Sequence, residues 1–94
     1  MDMQKEQKEV DKMCEDLVDM HIEDLLKGKN DAVGISAALR SDLTRDNPEL
    51  DAKWEEVYRR QPSCKDIADA TRYNDAMREK YVRVYKICKG IIDE

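Results

Sequence analysis

His21 is the single histidine of the chain, and it follows Cys14 by seven residues. On a helix that spacing places both side chains on one side, two turns apart. A tetrahedral zinc site needs four ligands, so the pair predicts a core or boundary histidine rather than a metal centre. Cys64 stands at an expected helix start, where the dipole lowers a thiol pKa. A thiolate nucleophile also needs a base, and His21 would have to meet it in space. Cys64 is therefore read as a partly buried thiol of ordinary reactivity, and Cys14 and Cys88 as core positions. Paired carboxylates such as Glu15-Asp16, Glu23-Asp24 and Glu55-Glu56 could do acid–base work. In a chain with 22 acidic residues such pairs arise by chance, and these fall on the polar sides of helices. There is no glycine-rich phosphate loop, EF-hand loop or nucleophile elbow. The sequence predicts no catalysis, no cofactor and no metal ion.

The elements that would position these residues are helical. The first helix is expected from about Met3 to Lys27, with Val10, Cys14, Leu17, Val18, His21, Ile22 and Leu25 forming its apolar stripe. Gly28 stands where a glycine ends a helix. The second covers Asp31 to Arg45, with Ile35, Leu39 and Leu43 in steps of four. Gly34 weakens its beginning, which favours a start at Ser36. The third opens with Asn47 as N-cap and Pro48 in the first position. It buries Leu50, Trp54, Val57 and Tyr58 and ends near Gln61-Pro62.

Ser63 is the expected cap of the fourth helix, with Asp66 completing a capping-box variant. Ile67, Asn74, Tyr81 and Cys88 step by seven, and so do Ala70, Met77, Val84 and Ile91. Together they make a heptad seam with Asn74 as its polar member. One helix from Cys64 to about Lys89 fits this pattern; the alternative is a break near Tyr73-Asn74-Asp75.

With 94 residues the chain makes one domain, all-α, a bundle of about four helices over 1–94 whose first few residues fray. Five aromatics, none of them Phe, leave a thin core, too thin for a deep enzyme pocket. The seam of Ile67, Asn74, Met77, Tyr81, Val84 and Cys88 is then expected to join copies into a homo-oligomer. Three widely spaced cysteines, no C-x-x-C and no apolar leader or membrane segment point to the cytoplasm, with reduced thiols and no membrane.

The net charge of −5 argues against strong non-specific DNA binding. That charge is uneven: residues 1–31 hold ten acids and five bases, and the rest balances. Near the C-terminus Arg78, Lys80, Arg83, Lys86 and Lys89 face only Glu79. The two ends should therefore attract and pack side by side. Tyr85 flanks the seam, which predicts an exposed aromatic rimmed by Arg78, Arg83, Lys86 and Lys89, a surface for a partner protein.

One segment suggests a second class of function. Val33-Gly34-Ile35-Ser36, the run Ala37 to Leu43, Asp46-Asn47-Pro48-Glu49-Leu50 and Trp54-Glu55-Glu56 resemble a turn, recognition helix and following helix. The pattern is similar to homeodomain-like helix-turn-helix proteins of phages, including small terminase subunits, over roughly residues 33–60. Against it, only Asn30 to Ala32 stand where the family has a full helix, and Asn47 splits its D-P pair. The resemblance implies an often oligomeric DNA-binding module for packaging or regulation, with Ser36, Arg40 and Arg45 at the groove or phosphates. Lys65 to Thr71 with Arg72-Tyr73-Asn74 offers a second such reading, but the heptads explain those residues with fewer exceptions. A non-enzymatic binding or regulatory protein working through helix packing is thus the first expectation. A phage- or mobile-element-type DNA-binding protein is the second.

Overall fold

The computed structural model describes residues 15–94, which form four helices and no strand. They are α1 (residues 15–25), α2 (Ala32–Asp46), α3 (Leu50–Arg60) and α4 (Ala70–Cys88). The expected helix start at Met3 and the core positions Val10 and Cys14 lie outside the described residues. Helix α4 packs against both α2 and α3, and these two touch each other. All four helices contribute to one core.

Local chemistry sets the helix ends. Asp31 caps α2, its carboxylate accepting from the Gly34 N–H at 3.2 Å. The helix thus begins at Ala32, four residues before the expected Ser36. Gly34 belongs to the cap: a Cβ there would stand 2.7 Å from the Asp31 Oδ1. After Asn47 a single tight turn carries Pro48 and Glu49 into α3, with the Leu50 N–H bonded to the Asn47 carbonyl. Glu49, rather than Asn47, is the capping residue, and its side chain makes no cap bond. Gln61 is extended because Pro62 follows it. Helix α4 ends in a Schellman motif, the Ile91 N–H reaching the Lys86 carbonyl and the Gly90 N–H that of Ile87. Gly90 takes φ +78 there, and Gly28 takes φ +79 after α1, a region that costs other residues a steric penalty.

The fourth helix begins later than its heptads suggest. Ser63 does not cap it; its hydroxyl accepts from the Lys65 N–H within a loop. The cap is Asp69, which accepts from the Arg72 N–H at 3.0 Å. Ile67 therefore lies in the loop, and helix α4 runs unbroken through Tyr73-Asn74-Asp75.

The core consists of Ile22, Leu26, Ile35, Leu39, Leu43, Trp54, Val57, Val84, Tyr85, Ile87 and Cys88, with Met77 also buried. Leu39 and Val84 are wholly sealed, and each such side chain stabilises the fold by about 2 kcal/mol. Trp54 and Tyr58 stack on Tyr81 at 6.0 and 5.4 Å between centroids, closing α3 onto α4. Most of the expected oligomer seam is consumed in this packing. Met77, Val84 and Cys88 are buried within one chain, Tyr81 packs against the same core, and Asn74 is half-buried. A residue sealed inside its own chain cannot fill a hole in a second copy, so the seam is an intramolecular one.

Candidate functional site

The polar side chains that could do chemistry are held in ion pairs and hydrogen bonds between helices. Tyr85 was expected at the surface but is wholly buried, and its hydroxyl donates to the Asp42 Oδ2 at 2.6 Å. Its ring faces the core because α4 is covered on that side as well as along the heptad positions, and the ring packs in the same buried cluster as Leu39, Leu43 and Val84. His21 Nε2 lies 3.2 Å from the other oxygen of Asp42, so one carboxylate joins α1, α2 and α4. Burial pushes the Asp42 carboxyl up, but the bonds from Tyr85 and His21 and the charges of His21 and Lys89 outweigh it and hold it below the usual carboxylate range. Burial and the Asp42 carboxylate both raise the Tyr85 phenol. A phenol kept protonated away from solvent is a structural donor, not an acid–base group at neutral pH.

Arg40 is committed in the same way. Its Nε donates to the Asp51 Oδ1 and its Nη1 to the Glu55 Oε1, both at 2.6 Å. The hydrogen bond to Asp51 raises its guanidinium further above the usual arginine range, opposed by partial burial and helped by Glu55. Ser36 is half-buried beside Arg40 and Trp54. Arg45 is exposed in the last turn of α2, nine positions on and about half a turn out of phase. The three side chains that the helix-turn-helix resemblance would place on DNA therefore do not share one face.

The expected basic surface around Tyr85 is also divided. Lys86 donates to Asp19 at 2.6 Å and to Glu15 at 3.4 Å. These bonds join the acidic first helix to the basic last one, as the charge distribution suggests. Burial lowers the Lys86 ammonium, while Asp19 and Glu15 outweigh that and raise it. The Lys89 ammonium sits 5.4 Å from the Tyr85 ring. Arg78 lies beside α1, near Asp19 and Glu23. Arg83 lies near Arg60 and Glu94 at the opposite end of α3. No aromatic group binds these cations into one patch.

Three large apolar side chains are exposed among the described residues: Val33 near the start of α2, and Leu17 and Met20 together on the outward side of α1. Leu17 and Met20 are 65% and 63% exposed, and they sit one turn apart. The sequence pattern placed Leu17 and His21 in the core stripe; both are exposed. Helix α1 carries two adjacent apolar stripes, and the one that packs contains Val18, Ile22 and Leu25 and is continued by Leu26 in the turn after it. Asp16, Glu23 and Asp24 are exposed on the other side and rim Leu17 and Met20. Two large apolar side chains thus stand exposed beside three carboxylates on one side of α1.

Among the described residues no group of His, Cys, Asp and Glu could hold a metal ion, and no helix is long and apolar enough to cross a membrane. Burial raises the Cys88 thiol. Cys64 is half-buried in the loop before α4. No family model matches the chain, and comparison with curated proteins and with solved structures yields no match.

Proposed function

We propose that this chain is a non-enzymatic helical binding protein whose outward α1 surface docks a basic, amphipathic helix of a partner protein. The observation that carries this reading is the pairing of exposed Leu17 and Met20 with the carboxylates of Asp16, Glu23 and Asp24. The occupant follows from complementarity: apolar side chains to cover Leu17 and Met20, and Lys or Arg to meet the acidic rim. A second copy presenting the same face would oppose like charges, so the partner is a different protein. DNA binding through α2 is the weaker reading, since Arg40 is already occupied by Asp51 and Glu55.

Fluorescence anisotropy with a labelled synthetic helix of leucine and lysine in amphipathic order tests this. Binding should exceed that of a scrambled peptide of equal composition by about tenfold, because only the ordered peptide presents an apolar stripe. Equal binding of both peptides would reduce the interaction to charge attraction and refute the proposal.

A further inference from the structure

A cleft of about 280 Å³ opens between the last turn of α3, the loop after it and α4. It lies apart from the α1 surface. Its cations are Arg59, Lys65 and Lys80, and no carboxylate lines it. In a chain of net charge −5 that is a local reversal of sign. Arg40, Arg60 and Lys86 are all paired with acids, whereas these three form no ion pair among the described residues.

The cleft is built, not merely lined. Lys80 is steered by its ammonium 4.2 Å over the Tyr58 ring, and that ring stacks on Tyr81. The Ser63 hydroxyl accepts from the Lys65 N–H and fixes the loop, leaving its own proton to donate. The carbonyls of Val57 and Tyr58, which would repel an anion at a helix C-terminus, are occupied by Gln61. Asp69, which does not line the cleft, is bonded to the Arg72 N–H. Tyr73 and buried Met77 supply an apolar wall. The volume greatly exceeds that of a phosphate group alone, so a phosphate would leave the tyrosine side empty.

We propose that this cleft binds a small phosphate monoester that also bears a flat heteroaromatic ring, as a nucleoside monophosphate does. The phosphate meets Arg59, Lys65 and Lys80, and the ring lies against Tyr73 and Met77. Three cations along one cleft with no acid in its lining favour the phosphate, and the Tyr73 side favours the ring.

Calorimetric titration of the full chain with adenosine monophosphate, adenosine and inorganic phosphate tests it. Adenosine monophosphate should bind at least about tenfold tighter than either of the others, since each lacks one of the two recognition elements. Arg59→Gln and Lys65→Gln should each weaken that binding several-fold, and Arg72→Gln, outside the cleft, should leave it unchanged. Both cleft residues are exposed, so these variants should retain the wild-type circular dichroism and melting point. Adenosine binding as tightly as the monophosphate, inorganic phosphate doing so, or Arg72→Gln weakening binding as much as Lys65→Gln would each overturn the proposal. None of these results bears on the α1 surface, which the leucine–lysine peptide probes separately.

Discussion

The Tyr85 hydroxyl donates to the Asp42 carboxylate at 2.6 Å, joining residues 43 positions apart in the chain. The Asp42 side chain is only 11% exposed, so this bond fastens α4 to α2 from inside the bundle. Tyr85→Phe keeps the ring and removes the donor, leaving a mostly buried carboxylate with His21 alone. Urea unfolding should show a loss of about 1–3 kcal/mol. An unchanged midpoint would mean that water replaces the phenol without cost.

Acid should weaken the fold through lowered carboxylates. Hydrogen bonds from Tyr85 and His21 lower Asp42 despite its burial, Arg40 lowers Asp51, and Arg60 lowers Glu94. A carboxyl with a folded pKa below its unfolded one stabilises in full above the unfolded value, and that stability is lost as pH falls through the folded one. The urea midpoint should thus be nearly flat from pH 7 to about 5 and fall below about pH 4. Asp42→Asn should be less stable at pH 7 yet lose less on acidification. A variant as acid-sensitive as the wild type would remove Asp42 from the cause.

The start of α4 can be checked by its caps. Asp69→Ala should cost about 1 kcal/mol, because it removes the acceptor for the Arg72 N–H. Ser63→Ala should change stability by less than about 0.5 kcal/mol, as a surface loop substitution does. The opposite ranking in thermal melts would put the helix start back at Cys64.

These caps also show what the sequence could and could not convey. The buried side of α2 is legible from Ile35, Leu39 and Leu43 and the end of α3 from Pro62, but the start of α2 is not, because Gly34 weakens a helix in general and here serves the Asp31 cap. Trp54 in the core and the attraction between α1 and α4 are legible too, the first by periodicity and the second by charge. The start of α4 is not, because Ser63 with Asp66 offers the same local signal as Asp69, and Ile67 falls in heptad phase by coincidence. Tyr85 and Leu17 are misjudged for another reason. Periodicity finds an apolar stripe, but the neighbouring helices decide which of its edges is covered, and that information is not local. Asp42 gave no signal at all: an acid in a polar position becomes the joint of three helices only when α1 and α4 arrive.

Arg40 tests how far surface pairing matters. Its partners Asp51 and Glu55 are about half exposed, so water screens both bonds. Arg40→Met should cost no more than about 1 kcal/mol, and the loss should shrink in high salt. A cost well above that in thermal unfolding would show a more tightly coupled network.

The docking surface is tested most directly by mapping where the leucine–lysine helix lands. In a ¹H–¹⁵N NMR titration the amide shifts should cluster on the outward side of α1 around Leu17, Met20 and Asp24. Leu17→Asn with Met20→Asn should melt as the wild type does, since both side chains are already exposed. That double variant should bind the peptide at least about tenfold more weakly, each lost apolar contact being worth about 1.5–3 kcal/mol when fully buried. Shifts spread over the other helices, or undiminished affinity in the double variant, would contradict a partner-binding role for this face.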